Sequence, residues 1–573
     1  MSALTKDQLL DEIIENSHAI VGEKNVDSLL ERTALLAKKI ANAQGLNFFN
    51  ILDDNKIHSY LVINDALNMH LGGTAGSAAD AAPINIMDPG TNLPNMRNLC
   101  AGAVLNRKTL NIADVYASTL YDISAIKAFD EKNDFSTKST LTIPLFNRQN
   151  RPLAVLQLIN ARDENGLVTE FSPESQNVIE MLVNQLALAY ENLKLINSER
   201  HVMESFISII AQAIDVKSPY TSAHCQRVPV LVRMLATAAC MSKAPAFEKF
   251  QMTDDQWYAL HLASWLHDSG KITIPEYIID KATKLETVYN RIHEIRMRFE
   301  VLRRDAHINY LKKRLKGADP DTLKAEYDAV IKQLDDDFLF VADCNIGDIP
   351  LEDSAQQRLR EIAKKTWTRN YDKYVGLSWE EASKVTSHSR DLPAQEFLID
   401  DSKDNFFLGC NRSELHNLMV KNGTVTEEEM NKIKSHVSVT IDMLNSIPFP
   451  PNLEEVREYA GSHHERIDGK GYPGGLTKFQ MSVPARIMAI ADVFEALTAT
   501  DRPYKKAKTL SECLDIMQDM VNTGHIDSDL FSLFVRSGVY KEYAALYLRQ
   551  DQIDHIELSK YISDSALEQD YDD

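Results

Sequence analysis

Residues 463–473 read His463-His464-Glu465-Arg466-Ile467-Asp468-Gly469-Lys470-Gly471-Tyr472-Pro473, and residues 267–271 read His267-Asp268-Ser269-Gly270-Lys271. With the isolated Asp492, the two stretches offer the imidazole nitrogens and carboxylate oxygens that borderline divalent transition metals accept as ligands. The glycines after the histidine pair permit tight backbone turns. Together these residues predict a metal centre that supports hydrolysis.

The surroundings of these candidate ligands are apolar and helical. The pair His267-Asp268 ends an apolar stretch, the pair His463-His464 follows the helical segment 456–462, and Asp492 lies inside the apolar segment 485–492. A single histidine or aspartate in such a place is usually a core or cap residue. Two adjacent pairs together with a carboxylate in an apolar helix favour a metal, because a buried unpaired carboxylate is costly.

Length and charge limit the possible classes of protein. A chain of 573 residues is long enough for two to four domains. The net charge of −21 argues against general binding to nucleic acid or to an anionic membrane, since both require a basic surface. An anionic substrate would therefore need local help from metal ions or a few placed Arg and Lys side chains.

Neither the apolar runs nor the cysteines indicate a membrane or an extracellular protein. The sequence has no apolar run of about 18 residues, and its first residues lack the basic and then apolar layout of a signal peptide. The six cysteines are scattered, without a CxxC motif. This usage predicts a reduced, cytoplasmic protein.

The first third of the chain has an α+β pattern. A helix is predicted over 26–43, strands over 47–52, 59–62, 139–146 and 152–159, and a long loop over 72–96. This pattern resembles a GAF domain covering residues 26–192, which implies an antiparallel sheet flanked by helices. Such domains bind a small ligand or form dimer contacts. The acidic segment around Asp130 is either the lid of a ligand pocket or a solvated loop.

A long helix is expected between the first third of the chain and the rest. An apolar stripe runs from Val178 to Ile210. A helix that joins a sensor domain to an output domain often pairs with its copy, which predicts a homodimer. The alternative is a helix packed on its own domain.

The domains expected are an N-terminal helix (1–25), the GAF-like domain (26–192), a connecting helix (193–215), an all-α catalytic domain (200–525) with a helical insertion (295–420), and a C-terminal helical region with an acidic tail (526–573).

The catalytic segment resembles the HD-GYP family of phosphodiesterases over about 200–520, apart from the insertion. The matching residues are Pro219-Tyr220-Thr221 with His224, Arg227 and Val228; His267-Asp268-Ser269-Gly270-Lys271 with Ile274-Pro275; His463-His464-Glu465-Arg466 with Asp468-Gly469-Lys470-Gly471-Tyr472-Pro473; and Pro484, Ala485-Arg486, Ala491-Asp492 and Arg502-Pro503-Tyr504. Gly474 departs from the family's usual Arg. The resemblance implies hydrolysis of the bacterial second messenger cyclic di-GMP, to pGpG or GMP, at a site with two divalent ions, or three as in some members, with iron or manganese as the metal.

The resemblance also implies roles for individual residues. The implied ligands are His224, His267, Asp268, His463, His464 and Asp492, with Asp268 bridging two metals. One further histidine is needed. His436 follows a Thr-rich helix start and precedes the histidine pair by a helical segment, whereas His293 follows a similar start before the insertion, so His436 is favoured and His293 is the alternative.

The substrate contacts follow in the same way. Lys271 would neutralise charge on the phosphoryl group, Arg486 and Arg502 would hold phosphate or guanine, and Tyr472 would shape the pocket. Two other functions are compatible with these residues: hydrolysis of another cyclic dinucleotide, and a regulatory module that binds cyclic di-GMP with little turnover. The sequence identifies neither the ligand of the GAF-like domain nor the role of the insertion.

Overall fold

The computed structural model describes residues 12–15, 25–52, 54–75, 77, 79, 81–217, 224–383, 391–402, 406–407, 409–499 and 508–562. The chain divides into two compact units, Met1–Met203 and Glu204–Asp573. Only a short helical segment at 12–15 is described in the region predicted as an N-terminal helix, so that prediction lies largely outside the described residues.

The first unit is built on an antiparallel sheet of eight strands. The strand order is β3-β2-β1-β7-β6-β5, with β4 paired to β2 and β8 paired to β7. The strands are β1 (Ala43–Ile51), β2 (Lys56–Asn64), β3 (Met69–Gly72), β4 (Ile84–Asn85), β5 (Leu110–Ile112), β6 (Thr140–Phe146), β7 (Pro152–Arg162) and β8 (Val168–Thr169). In the register of the central strands, Phe48 lies opposite Leu61 on one side and Leu156 on the other.

Helices cover both faces of this sheet. They are α1 (Val26–Ile40), α2 (Leu99–Asn106), α3 (Ser124–Asn133) and α4 (Pro173–Lys217). Buried residues of α1 and α4, including Leu30 and Val183, share a core with Phe48. Ala101 of α2 belongs to a second core with Val155. The antiparallel sheet flanked by helices confirms the α+β fold predicted for this region.

Two local predictions in the first unit need correction. The segment 72–96, predicted as a loop, contains a short 3-10 helix and strand β4. The acidic segment around Asp130 is helix α3 and not a solvated loop. Asp130 is buried because its carboxylate accepts hydrogen bonds from the backbone N–H of Thr137 at 2.7 Å and from the hydroxyl of Tyr116 at 2.8 Å. This carboxylate thus holds α3 against neighbouring segments.

The second unit is mainly helical. Its helices are α5 (His224–Met241), α6 (Asp254–Leu266), α7 (Glu276–Ile279), α8 (Ile292–Leu315), α9 (Pro320–Ile346), α10 (Asp353–Ala363), α11 (Trp379–Ser383), α12 (Glu414–Leu418), α13 (Glu427–Asn445), α14 (Glu455–Gly461), α15 (Val483–Thr498), α16 (Leu510–Asn522), α17 (Ser528–Arg536) and α18 (Val539–Tyr547). Helix α5 packs on α15, α6 packs on α14, and α13 packs on the 3-10 turn Ser269–Thr273. This helical structure confirms the all-α prediction for the catalytic segment.

The segment predicted as an insertion forms its own apolar core. Helices α8 and α9 pack against each other, and buried residues such as Phe299, Val341 and Leu359 join in one cluster. Two small two-stranded sheets complete it, with strands β9 (Thr366–Arg369), β10 (Ala394–Phe397), β11 (Phe406–Phe407) and β12 (Cys410–Asn411). The insertion is therefore helical with minor strands. Within the described part of the chain, no helix is both long enough and apolar enough to cross a bilayer.

Candidate metal centre

Helix ends and helix faces converge on one group of histidines and aspartates in the second unit. His224 is the first residue of α5, and His267-Asp268 follow the end of α6. His436 lies within α13, His463-His464 follow α14, and Asp492 lies within α15. The structure thus brings together all seven residues that were predicted as ligands with His436 as the further histidine.

The ligand atoms form two groups with Asp268 between them. The group of His224, His267 and Asp268, and the group of His436, His463 and His464, each have ligand atoms within 4.8 Å of one another. Asp268 Oδ2 lies 3.3 Å from Nε2 of His224 and of His267. Its other oxygen, Oδ1, lies 3.2 Å from His436 Nε2 and 3.9 Å from His463 Nε2. One carboxylate therefore presents an oxygen to each group.

Asp492 reaches the same cluster from α15. Its Oδ1 lies 3.2 Å from His224 Nε2 and 3.8 Å from His267 Nε2, and its Oδ2 lies 4.0 Å from His464 Nδ1. Like Asp268, it faces both groups of histidines. The cluster consequently contains two carboxylates and five imidazoles, which is a donor set suited to divalent transition metals.

Three of the histidines are oriented by backbone carbonyls. The Nδ1–H of His267 donates to Ser264 O at 2.9 Å, that of His436 donates to Ile433 O at 2.6 Å, and that of His463 donates to Ala460 O at 2.5 Å. A carbonyl accepts only, so each Nδ1 carries a proton, and in the neutral ring the lone pair is then on Nε2. All three Nε2 atoms face the cluster, as metal ligands require.

Several of these buried atoms have no hydrogen-bond partner. Asp268 Oδ1, His436 Nε2 and His463 Nε2 are fully buried without one. A buried polar atom left unsatisfied costs roughly 1–3 kcal/mol, so three in one cluster need a physical reason. All three are lone-pair acceptors that converge, and a cation between them would satisfy them together. The residues present therefore fit a divalent metal site.

The electrostatics of the cluster favour the ligand forms of most members. Burial would raise the pKa of Asp268, but the ammonium of Lys271 outweighs it and holds this pKa well below 3.8. Burial likewise would raise the pKa of Asp492, and the neighbouring histidines keep it well below 3.8. Burial lowers the pKa of His463 well below 6.5 and that of His464 to about 4. Ionised carboxylates and neutral imidazoles are the states that bind metal.

Two of the residues predicted to contact substrate lie beside the cluster. Lys271 Nζ is 2.5 Å from Asp268 Oδ2, and the lysine side chain is 21% exposed. The ring of Tyr472 stacks on His464, with 5.0 Å between ring centroids and 26° between planes. Lys434 Nζ lies 5.6 Å from the centroid of the Tyr472 ring. The ammonium of Lys271 and the ring of Tyr472 therefore border the space in front of the ligands.

Arg486, His293 and Arg502 were also predicted as site residues or as alternatives to them. The guanidinium of Arg486 pairs with Asp527 at the start of α17, and its Nε donates at 3.4 Å to the carbonyl oxygen of Ser482 at the start of α15. His293, the alternative to His436, is exposed at the start of α8 and interacts with Arg296 at 2.8 Å. Arg502 and the segment 219–221 lie outside the described residues.

Two glycines allow the close approaches that build the site. A Cβ on Gly270 would lie 2.0 Å from the carbonyl oxygen of His436, and a Cβ on Gly471 would lie 2.3 Å from the backbone N of Arg466. The turn after Asp268 thus contacts α13 directly, backbone to backbone. Gly270 N donates to Thr440 Oγ1 at 2.9 Å, and Thr440 Oγ1 donates to His267 O at 3.1 Å, which fixes this contact.

Two glutamates support the site in ways that the sequence did not fully indicate. The carboxylate of Glu465 accepts from the backbone N–H of Gly474 at 2.5 Å and of Leu476 at 2.9 Å. Glu495 was not predicted at all. It is buried beside His224. The available signal was its position three residues after Asp492, which places both side chains on one face of α15.

Comparison with known proteins agrees with the two units. The family model described as GAF domain matches residues 25–190, and the model described as HD domain matches residues 412–530. Among solved structures, the GAF domain of an Acinetobacter phosphoenolpyruvate-protein phosphotransferase is 11% identical with a TM-score of 0.24, covering 34% of this chain and 98% of that one.

The curated relatives match a short part of this chain. A 3'3'-cGAMP-specific phosphodiesterase 1 from Vibrio cholerae is 40% identical over 120 residues, which are 21% of this chain and 27% of that protein. A cyclic di-GMP phosphodiesterase from Pseudomonas aeruginosa is 35% identical over 137 residues, 24% of this chain and 32% of that protein. The cyclic di-GMP phosphodiesterase response regulator RpfG from Xanthomonas campestris is 40% identical over 97 residues, 17% of this chain and 25% of that protein. The matched segment thus spans about a quarter to a third of these relatives. The chain therefore carries a GAF domain at residues 25–190 followed by an HD domain at residues 412–530.

Proposed function

We propose that this protein is a metal-dependent phosphodiesterase that hydrolyses cyclic di-GMP to pGpG or GMP, under the control of its GAF domain. The observation that carries the proposal is the position of Asp268, which offers one oxygen to each of two histidine groups. The relatives matched over the HD segment, which are named phosphodiesterases of cyclic dinucleotides, support the same substrate class.

The ligand set supports two metal ions, and iron or manganese are the proposed metals. A third ion at the same site is the alternative. Divalent ions held there would lower the pKa of an attacking water and offset charge on the phosphate oxygens. His224, His267, His436, His463, His464, Asp268 and Asp492 are the proposed ligands. Asp268 is proposed to span both ions, because its two oxygens face different histidine groups.

Lys271 is proposed to stabilise the charge that develops on the phosphoryl group. Burial would lower its pKa, but the carboxylates of Asp268 and Asp492 raise it above 10.5, so its ammonium stays charged. In a chain with a net charge of −21, a fixed cation at the site is needed to receive an anionic diester. Preorganised charge of this kind is usually a large part of catalysis.

Tyr472 is proposed to line the substrate pocket. Stacking on His464 fixes the plane of its ring at the edge of the cluster, and the approach of Gly471 to Arg466 fixes the loop that carries it. Arg486, whose guanidinium also pairs with Asp527, stays a proposed substrate contact. Arg502 remains a proposed substrate contact from the sequence.

The connecting helix is proposed to mediate a homodimer. On α4, apolar side chains that are 42–67% exposed recur every seven residues at Met181, Leu188, Leu195, Val202 and Ile209. A heptad repeat of exposed apolar residues is the pattern of a helix that pairs with another helix. A second copy of this chain supplies the same stripe, so a parallel pair would cover it.

The role of the GAF domain, the domain limits and the cellular location are also proposed. The GAF domain is proposed to bind a small ligand and to regulate the HD domain. The domain limits are proposed at 1–25, 26–192, 193–215, 200–525 with the insertion 295–420, and 526–573. A cytoplasmic location is proposed because no disulfide joins the six cysteines, all of which lie within described ranges.

The substrate is tested by competition. Metal-loaded protein is given cyclic di-GMP and 3'3'-cGAMP, separately and together, and kcat/KM is measured for each by chromatography of the products. The proposal predicts a higher kcat/KM for cyclic di-GMP. A higher kcat/KM for 3'3'-cGAMP would show that 3'3'-cGAMP, and not cyclic di-GMP, is the preferred substrate. Tight binding of cyclic di-GMP without turnover, whether the protein is loaded with iron or with manganese, would show that the protein is a regulatory binding module and not an enzyme.

A further inference from the structure

His224 is held differently from the other histidines of the cluster. His267, His436 and His463 each donate their Nδ1–H to the carbonyl three residues earlier in the chain. His224 is the first residue of α5, and its Nδ1 contacts a side chain from another helix, the carboxylate of Glu495 on α15. A carboxylate acceptor replaces a carbonyl at this one histidine.

The Glu495 carboxylate is itself held on both oxygens. Its side chain is 1% exposed. One oxygen receives the Nδ1–H of His224, and the other receives Arg227 Nε at 2.7 Å and Arg227 Nη2 at 2.6 Å. A buried ionised carboxylate needs such partners, because burying it alone is costly. Arg227 stands one turn after His224 on α5, so the three side chains form a closed connection between α5 and α15.

We propose that Glu495 is the positioning residue for the metal ligand His224. By accepting the Nδ1–H, its carboxylate fixes the ring so that Nε2 points at Asp268 Oδ2 and Asp492 Oδ1, at 3.3 and 3.2 Å. A carboxylate behind the ring also makes Nε2 a stronger donor than a carbonyl does. Helix α15 therefore contributes two residues to the site. Asp492 is a proposed ligand, and Glu495, one turn later, orients the ligand His224.

The inference rests on the proposed metal site but not on the substrate. Its test is the affinity for Mn²⁺, measured by competition with a chromogenic chelator, on the full chain and without any cyclic dinucleotide. Glu495→Gln keeps the length of the side chain and an acceptor oxygen but removes the charge. Loss of an outer carboxylate behind a histidine ligand typically weakens metal binding by 10–100-fold, and a loss in this range is expected at one site per chain.

A matched control separates positioning from stability. Glu414 is also buried, 3% exposed, and its carboxylate pairs with Arg298 at 2.6 Å, but it lies in the insertion. Glu414→Gln breaks a comparable buried pair and is expected to change the Mn²⁺ affinity less than twofold. Glu495→Asp keeps the charge on a shorter side chain and is expected to bind Mn²⁺ more tightly than Glu495→Gln. Apo-state thermal unfolding of all three variants shows whether each one folds.

The outcomes are distinct. An unchanged Mn²⁺ affinity in folded Glu495→Gln would overturn the positioning role, and so would an equal loss in Glu414→Gln. If Glu495→Gln does not fold, the comparison of Glu495→Asp with Glu414→Gln decides, and an affinity of Glu495→Asp equal to that of the parent chain would overturn the role. A parent chain that binds Mn²⁺ and responds to Glu495→Gln but cleaves no cyclic dinucleotide would refute the proposed function and leave this inference standing.

Discussion

At the scale of single residues, Asp268 lies between the two groups of histidine ligands. Its side chain is 3% exposed and its two oxygens face separate groups of histidines. The neighbouring pair His267-Asp268 was evident in the sequence, and so were His463-His464, because adjacent ligand-type residues in apolar surroundings are unusual. Individual ligands such as His224 required the family resemblance, since nothing in their immediate sequence distinguishes them from core histidines.

Some side chains near the site have partners that are distant in the sequence. Arg486 was predicted to contact substrate, and its guanidinium also pairs with Asp527, 41 positions away. Glu495 was overlooked, and its partner His224 is 271 positions away. No local pattern predicts which acid meets which base across such separations. These assignments needed the packing of α15 against α5 and α17.

Lys271 gives a residue-scale test of catalysis that is separate from metal binding. Replacing it with Gln removes the ammonium beside Asp268, and kcat is expected to fall about 10²–10³-fold, while the metal content per chain, measured by elemental analysis, stays within about twofold of the parent. Lys470→Gln is the control, because its side chain is 78% exposed in a different segment, the glycine-rich loop after the histidine pair. Full activity in the Lys271 variant would remove this residue from the proposed mechanism.

At the scale of helices and strands, periodicity predicted the long elements. Helix α1 was expected over 26–43 and spans Val26–Ile40. The long helix expected from the apolar stripe between Val178 and Ile210 is α4, Pro173–Lys217. Short elements such as α2 and β5 were missed, because eight residues or three residues are too few to show a period.

The contact between the turn after Asp268 and helix α13 requires a glycine at position 270. Gly270→Ala would place a Cβ 2.0 Å from His436 O and 2.8 Å from Thr440 N. Because backbone atoms must move, the free energy of unfolding is expected to drop by roughly 1–3 kcal/mol, and Mn²⁺ affinity is expected to fall with it. Chemical denaturation and chelator competition measure the two quantities.

Gly90→Ala serves as the control for this substitution. The nearest heavy atom to its Cβ would be Asp88 Oδ1 at an ordinary 3.5 Å, so the free energy of unfolding is expected to stay within about 0.5 kcal/mol of the parent. A Gly270→Ala chain as stable as Gly90→Ala, with normal metal affinity, would show that α13 and the turn are not held in this close contact.

The junction of α15 with α17 gives a prediction about pH. Asp527 caps α17 through the backbone N–H of Asp529 at 2.8 Å and pairs with Arg486 and Lys478. Burial would raise the pKa of Asp527, but the cations of Arg486 and Lys478 outweigh it and hold this pKa below 3.8. Asp527→Asn keeps the cap oxygen and leaves Arg486 without its counter-charge, so a loss of about 3 kcal/mol in the free energy of unfolding is expected at pH 7.

The sign of the pH dependence follows from the lowered pKa. An ionised Asp527 contributes its full stability above the unfolded-state pKa near 3.8, and this contribution is lost as the pH falls through the lower folded-state pKa. Denaturation of parent and variant from pH 3 to 8 should therefore give a constant difference above about pH 5 and a shrinking one below about pH 4. Asp529→Asn, at a 49% exposed side chain, is the control. A difference that grows on acidification would contradict this account.

At the scale of the whole molecule, the sequence predicted a sensor domain, a long helix and a helical output domain. The two compact units divide at Met203–Glu204, inside α4. The insertion was recognised as helical but not as having its own core, because α8 and α9 pack with residues from distant segments such as Leu359 and Leu415. Such a core is a property of tertiary packing that the periodicity of one helix does not show.

The heptad stripe of α4 gives the test of assembly. Leu195 and Val202 are 61% and 50% exposed within it. Replacing both with Glu places like charges in the proposed helix pair, and the parent dimer is expected to become a monomer at micromolar concentration, measured by light scattering after size exclusion. Lys194→Glu, at an exposed position beside the stripe, is expected to leave the dimer intact. A monomeric parent, or a dimer that survives the double substitution, would exclude pairing through this helix.

The central claim is that one cluster binds metal and cleaves cyclic di-GMP. Its most direct test is anaerobic purification of the full chain with elemental analysis, followed by chromatography of the products from cyclic di-GMP, beside Asp268→Ala. We expect at least two iron or manganese ions per parent chain with pGpG or GMP as product, and loss of both bound metal and product in the variant. A parent chain that holds its metal but leaves cyclic di-GMP intact, or an Asp268→Ala chain that still cleaves it, would refute the proposed function.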